Sequence, residues 1–528
     1  MSNFSTTLAH STLRQLIEFG VTDFVLSPGS RNAPLSIALS EAAKAGLIDL
    51  HVRIDERGAG FFALGIAKAT KRYVACICTS GTAVANYHPS ALEAFHSDAS
   101  VLYLTADRPA RLRNTGANQT TLQDGILFPL ETFDTAEIFD LERVLEGGPI
   151  HINLQFDEPL LPESQNSEWL KGVTRKQIAV AVPPTQSERL TVKSDGLLIV
   201  GHDRGNFSVE EIMEFADILD WPMVAEDPLS FPGAIPHASL FLSDEGIRQA
   251  LATDEVIVIG RTTLSRSINA YIAQTDEVIV IDPRAETVDI DRESDQVFFE
   301  IPHVTKHATS TRWLELWQAA GEFSASVIRN EIEWSEQLAV RAITHNVPDE
   351  AAIFIGSSRP IRDIEGFATP RSGISVFANR GLAGIDGNIA TAFGIATQSV
   401  RSYSILGDLT FLHDLPALVN IPDINHTIFL IDNNGGGIFS TLPQAGVDGF
   451  EEIFGTPHNQ NIEKIVQGFG IAITRVKSVA DIEREIAHQP KGLHVVLIDV
   501  PTRAENAVAL KRLAQSVSSA VRIGNNFA

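Results

Sequence analysis

One pattern recurs along this chain and limits what it can fold into: a short, apolar, β-branched run, then a polar turn, then a helix-like segment. In the first third the apolar runs fall at 24–26, 51–54, 73–79 and 101–105, with helix-like stretches between them, one of them spanning residues 5–19 with Ser5-Thr6-Thr7 as its cap. The pattern restarts with runs at 196–200, 222–225, 255–259 and 277–281. It restarts again at 353–355, 375–377, 403–406, 427–431, 471–476 and 494–500, and closes on a helix at 504–521. Such alternation predicts doubly wound α/β architecture, parallel sheets with helices on both faces. At 528 residues the chain exceeds what one hydrophobic core can serve. Three domains are therefore expected, at 1–182, 183–345 and 346–528, with the Pro/Thr/Ser/Glu stretch at 182–188 as a linker.

Ligands of open parallel sheets bind beyond the carboxyl ends of the strands. The stretch 402–439, SYSILGDLTFLHDLPALVNIPDINHTIFLIDNNGGGIF, reads as a strand, a Gly-Asp turn, a helix-like segment at 413–420, and a second strand ending in Asp-Asn-Asn-Gly-Gly-Gly. Asp408 and Asn434 fall at the two strand ends. A carboxylate and an amide oxygen are hard ligands suited to Mg²⁺, which shares its shell with phosphate oxygens and water. The glycines allow a sharp turn and close backbone approach. Either fragment alone would read as an ordinary turn; together they propose a metal–diphosphate anchor. Glu56 stands between another strand and a helix, in Asp55-Glu56-Arg57-Gly58, with apolar sequence on both sides.

Charge narrows the partners. A formal net charge of −25 argues against nucleic acid or an anionic membrane surface. No run of 18 apolar residues and no signal pattern is present, so no membrane insertion is expected. Cys76 and Cys78, the only cysteines, share one face of a strand and read as a buried thiol pair rather than a zinc site, which points to the cytoplasm. An anionic substrate would need a locally basic cleft. Arg31, Arg108, Arg362 and Arg380 are expected in strand-end loops or just after them, beside Ser30, Ser358, Asn118 and Gln119, and arginine is suited to bidentate recognition of carboxylates.

The segments SPGSRNAPL, IDERGAGFFALGIAKAT, TSGTAVANYHPSALEA, LTADRP, GANQT, NRGLAGIDG, LGDLTFLHD and NNGGGIFSTLP resemble those of the MenD family of thiamin-diphosphate (ThDP)-dependent synthases, in order from residue 27 to 443. One position departs from the usual ThDP signature: Leu409 stands where glycine is common. The resemblance implies a pyrimidine-binding domain, a central Rossmann-like domain and a diphosphate-binding domain. It implies ThDP with Mg²⁺ (or Mn²⁺) as cofactors, 2-oxoglutarate and isochorismate as substrates, and a homodimer at least, possibly a tetramer, with the active site at the subunit interface. In its terms Glu56 activates the cofactor through the pyrimidine N1′. Asp408, Asn434 and the carbonyl of Gly436 hold the metal. Ser80, Gly81, Ser358, Gly381, Gly407 and Leu409 line the cofactor; Ile385 is the wedge that bends it, and Ile438, Phe439 and Leu442 form the apolar wall near the thiazolium. Arg362 and Arg380 serve the succinyl side and Arg31 and Arg108 the isochorismate side; Asn118, Gln119 and Ser358 belong to the same catalytic set, and Arg266 matches a basic residue near the second substrate.

Two rivals follow from the same residues. Another ThDP-dependent 2-oxoacid decarboxylase or acetolactate-type synthase would share Glu56 and the metal motif, but such decarboxylases commonly carry a His-His pair that this chain lacks. A nucleotide-binding oxidoreductase would use the middle block, which has no G-x-G-x-x-G.

Overall fold

The strand-forming runs assemble into three main sheets. The computed structural model describes residues 3–145, 147–164, 167–175, 188–284, 294–304 and 309–527. The first sheet holds β1 (Asp23–Leu26), β2 (Asp49–Val52), β3 (Val74–Cys78), β4 (Val101–Asp107), β5 (Thr132–Thr135) and β6 (Ile150–Gln155) in the order β2-β1-β3-β4-β6-β5. The middle region has β7 (Arg189–Leu190), β8 (Leu197–Val200), β9 (Met223–Ala225), β10 (Glu255–Ile259), β11 (Glu277–Ile281), β12 (Gln296–Phe298) and β13 (His303–Val304). Its main sheet runs β12-β11-β10-β8-β9, and β13 pairs with β7 in a separate two-stranded sheet. The third sheet orders β14 (Ala352–Ile355), β15 (Ser375–Ala378), β16 (Ser402–Gly407), β17 (His426–Asp432), β18 (Ala472–Val476) and β19 (Leu493–Asp499) as β15-β14-β16-β17-β19-β18. Every pairing in these sheets is parallel, as the alternating pattern requires.

The central strands are buried along their whole length because helices cover both faces. VACIC in β3 and VLYLTAD in β4 have no exposed residue, and Cys76 and Cys78 are free and buried, with burial pushing the Cys76 thiol up to about 12. Separate apolar cores surround the sheets: Leu13, Phe24, Leu104 and Phe156 in the first, Leu198, Phe215, Ile257 and Ile279 in the middle, and Ile353, Ile405, Phe429 and Val496 in the third.

The chain gathers into two compact units, each drawing on more than one stretch of sequence. One unit comprises Met1–Val182, Gly381–Val400 and Phe411–Asn425; the other comprises Pro183–Arg380, Arg401–Thr410 and His426–Ala528. The expected boundary at 182/183 lies outside the described residues, as does the linker at 182–188 apart from Glu188.

Several local expectations are corrected. The first helix, Phe4–Phe19, is capped by Asn3, whose side chain accepts from the Ser5 N–H, and not by the Ser-Thr run inside it. The strand expected at 51–54 is β2, two residues earlier. The segment 413–420 is not one helix: a helix covers Asp408–His413, and a 3₁₀ turn, Leu415–Leu418, follows where Pro416 enters. Likewise AVANYHPSALEAF forms two helices, Thr82–Asn86 and His88–His96, with Pro89 at the start of the second. β5 and β6 were not anticipated because TFDT and IHINLQ lack a continuous apolar run.

Candidate active site

In the first sheet the chain reverses direction across the sheet between β1 and β3, and the carboxyl ends of β1, β3 and β4 come side by side. These ends carry Arg31, Ser80-Gly81 and Arg108. Arg108 Nη1 donates to Ser80 Oγ (2.8 Å) and to the Gln119 carbonyl (2.6 Å), while Ser80 Oγ donates to that carbonyl (3.0 Å) and Gln119 Nε2 returns a bond to Ser80 O (2.9 Å). Gly81, at φ +83, donates its N–H to Gln123 Oε1 (2.9 Å). Burial and the neighbouring Arg31 both lower the pKa of Arg108, so two guanidinium groups share this cleft. Arg31 itself donates to the Phe156 carbonyl (3.1 Å) and lies 3.5 Å from Glu158. Asn118 sits exposed beside Gln119.

Glu56 is the first residue of the helix Glu56–Thr70, capped by Asp55 accepting from Gly58 N–H, and is half-buried. That helix crosses Asn388–Ala396 of the same unit at glycines. A Cβ on Gly65 would strike the Thr391 carbonyl, and one on Gly394 would strike the Phe62 carbonyl, so the two backbones touch only because both residues lack side chains. Immediately before the second helix runs the loop carrying Ile385. The buried carboxylate of Glu93 accepts the N–H groups of Gly381 (2.8 Å), Leu382 (2.7 Å) and Ala383 (3.3 Å), with Lys68 Nζ 3.6 Å away. Ile385 is half-buried two residues beyond this clamp.

In the other unit Asp408 begins the helix after β16 and is almost fully buried. It accepts from Leu409 N–H (2.6 Å) and Gly435 N–H (2.8 Å), which joins the ends of β16 and β17. Burial, reinforced by Asp432, pushes its carboxyl up to about 6 against these hydrogen bonds. Asp408, Asp432 and His458 each present a ligand atom within 4.8 Å of the others. The turn is crowded: a Cβ on Gly436 would meet the Phe454 carbonyl and one on Gly435 that of Gly455. The Asn434 side chain faces Asn459, donating to its Oδ1 (3.0 Å) and accepting from its N–H (2.9 Å), while Arg503 binds the Asn434 carbonyl. Ile438 and Phe439 lie on the 3₁₀ turn Gly437–Thr441, with Leu442 just after it, all half-buried.

Arg362 stands just after the loop that leaves β14. It lies in the helix Arg359–Phe367 that follows β14, and donates to the Ser358 carbonyl (2.8 Å); Ser358 precedes this helix at φ +78. Arg380 follows β15 and is buried. Arg266 starts the helix Arg266–Ile272 and is exposed.

The Asp408 turn fits a divalent cation with a diphosphate: its carboxylate oxygens are hard donors, and a second carboxylate and an imidazole stand against it. The glycines of this turn let the 454–456 backbone pack directly against it. Sequence reasoning did not single out Asp432, His458 or Glu93. Asp432 stood in view beside Asn434; His458 and Glu93 carry no local signal, because their partners lie tens to hundreds of residues away.

Three comparisons with known families cover most of the chain. Residues 6–127 match the N-terminal TPP binding domain of thiamine pyrophosphate enzymes, 163–355 their middle domain, and 362–500 their C-terminal TPP binding domain. A 2-succinyl-5-enolpyruvyl-6-hydroxy-3-cyclohexene-1-carboxylate synthase of Nocardioides sp. is 37% identical, covering 93% of this chain and 94% of its own. Enzymes of the same name from Thermobifida fusca and Saccharopolyspora erythraea are each 34% identical, covering 98% of this chain and 100% and 99% of their own.

Proposed function

The chain belongs to the 2-succinyl-5-enolpyruvyl-6-hydroxy-3-cyclohexene-1-carboxylate synthase family of thiamine pyrophosphate enzymes, and from that premise we propose that it decarboxylates 2-oxoglutarate and joins the succinyl unit by 1,4-addition to isochorismate, in menaquinone biosynthesis. The products are 2-succinyl-5-enolpyruvyl-6-hydroxy-3-cyclohexene-1-carboxylate and CO₂. One observation carries the substrate assignment: an acidic chain keeps Arg31 with Arg108, and Arg362 with Arg380, at the carboxyl ends of the strands that also bear its cofactor motifs. Burying guanidinium groups is unfavourable unless anionic partners offset it, and both substrates are dicarboxylates.

ThDP, when bound, supplies the electron sink that lets CO₂ leave. Asp408, with Asn434 and the Gly436 carbonyl, would hold Mg²⁺ or Mn²⁺ at its diphosphate, flanked by Asp432 and His458. Glu56 would exchange a proton at the pyrimidine N1′. Ile385 would support the cofactor, and Ile438, Phe439 and Leu442 would exclude water from its reactive end. Arg362 and Arg380, with Ser358, would receive the 2-oxoacid; Arg31 and Arg108, with Asn118 and Gln119, the isochorismate carboxylates.

The enzyme is proposed to work in the cytoplasm, a placement supported by its free buried thiols. Among the described residues no helix is long and apolar enough to cross a membrane. A homodimer at least is proposed, with Glu56 of one subunit serving the Asp408 turn of another. Mixing Glu56→Gln and Asp408→Ala proteins should then restore part of the activity that each lacks. The direct test supplies purified protein with Mg²⁺, ThDP and 2-oxoglutarate, then adds isochorismate. CO₂ release with formation of the named product is expected; turnover of pyruvate with none of 2-oxoglutarate would replace this reading with an acetolactate-type one.

A further inference from the structure

Arg380 follows the third sheet, but residues of the middle sheet orient it. Its Nε and Nη2 donate to Thr263 Oγ1 (3.1 and 2.9 Å), and Nη2 also reaches the Thr263 carbonyl (3.3 Å). The Arg380 carbonyl accepts from Arg261 Nη2 (2.6 Å). Thr263 and Arg261 belong to the segment leaving the carboxyl end of β10, so the middle region grips this arginine by both side chain and backbone.

That segment is itself fixed. Glu226, fully buried just after β9, accepts the N–H groups of Thr263 (3.0 Å to each oxygen), Leu264 (2.8 Å) and His202 (3.1 Å). One carboxylate therefore ties together the chain leaving β8, β9 and β10. A threonine on a wandering loop could not hold a long side chain, because each rotamer it freezes costs entropy. A threonine whose own backbone is clamped can. Glu365, on the helix that carries Arg362, lies in the same buried cluster. Burial and then Glu226 raise its carboxyl well above the usual range, while Arg362 and Arg380 act the other way.

We propose that Thr263 is a positioning residue that sets specificity for a 2-oxoacid bearing a second carboxylate, acting through Arg380; this gives the middle region a direct part in substrate choice. The inference rests on the reading that Arg380 receives the 2-oxoacid. A guanidinium is a planar, rigid fork, so two hydrogen bonds to one hydroxyl fix its plane and the direction from which a carboxylate can be paired.

The test compares Thr263→Val, Thr263→Ser and Arg380→Ala in the full enzyme, with three half-saturation constants each: 2-oxoglutarate, isochorismate and ThDP. Valine keeps the shape and loses only the hydroxyl, and thermal melting checks that it folds. Thr263→Val should raise the KM for 2-oxoglutarate by about tenfold or more, the size expected for losing a charge-assisted hydrogen bond. The constants for isochorismate and ThDP should stay within about twofold, and Thr263→Ser should restore the KM for 2-oxoglutarate. An unchanged KM in Thr263→Val, or a rise in all three constants alike, overturns the inference. Arg380→Ala separates the two layers of the argument: if it raises the KM and Thr263→Val does not, only the role of Thr263 fails. If Arg380→Ala leaves the KM unchanged, the reading of Arg380 as a substrate group fails, and the inference with it.

Discussion

Replacing Glu93 with alanine should loosen the loop that carries Ile385 and destabilise the unit containing it by about 3–5 kcal/mol. Two bonds dominate, from the N–H groups of Gly381 and Leu382 at 2.8 and 2.7 Å. A hydrogen bond to a charged group contributes roughly 1.5–3 kcal/mol, and the removed carboxylate would leave the buried Gly381 N–H without that acceptor. Water can reach Leu382, whose relative exposure is 53%, and this cuts the loss at that position. The Ala383 bond, at 3.3 Å, adds little, and the ion pair to Lys68 at 3.6 Å less still. Glu93→Gln keeps one acceptor oxygen but turns an NH₂ toward a backbone N–H, so about half of the loss is expected. Urea unfolding of the apo protein reads the stability, and fluorescence titration with ThDP and Mg²⁺ reads the loop. The alanine variant should be less stable and require several-fold more ThDP, with the glutamine variant between it and wild type. An alanine variant within about 1 kcal/mol of wild type, with unchanged ThDP half-saturation, would refute the clamp.

Glu56→Gln should keep the fold and bind ThDP while kcat falls about 10²–10⁴-fold, since an amide cannot exchange the same proton; retention of more than half the activity removes Glu56 from the reaction. Asp408→Ala should abolish Mg²⁺-dependent ThDP binding by calorimetry, and unchanged affinity with and without Mg²⁺ counts against the metal assignment. Single-turnover measurements should separate the arginines: Arg380→Ala slows decarboxylation, whereas Arg31→Ala decarboxylates normally and fails to consume isochorismate. His426, held between Ser402 Oγ (2.7 Å) and Ser404 Oγ (3.0 Å), has its pKa lowered by burial to about 3. Because the folded value lies below the unfolded one, its contribution is intact above about pH 6.5 and lost as pH falls. The stability advantage of wild type over His426→Gln should shrink by about 2.3 kcal/mol between pH 6.5 and 4.5, and parallel pH profiles would disprove it.

The sequence by itself determined the class of fold, because apolar β-branched runs separated by polar turns and amphipathic segments can be buried in few ways other than parallel sheets covered by helices. It also indicated where chemistry would gather, since strand ends are where a parallel sheet leaves polar groups accessible. Those features are local. Strand order is not local, and only the tertiary structure revealed it. The first and third sheets share one order, and among the described residues the middle sheet repeats it with five strands, although the three blocks show no legible sequence repeat. Burial selects hydrophobicity and pattern rather than particular residues, so a shared topology can persist without shared letters. The same order brings Arg31, Ser80 and Arg108 together from three separate strands. It also turns the Asn434 side chain toward Asn459. The Glu93 clamp on Gly381 and the Thr263 grip on Arg380 join residues 288 and 117 positions apart. No spacing rule reaches that far, because such pairs form only after the sheets have packed, when each buried carboxylate or guanidinium takes the donors or acceptors that packing has left beside it.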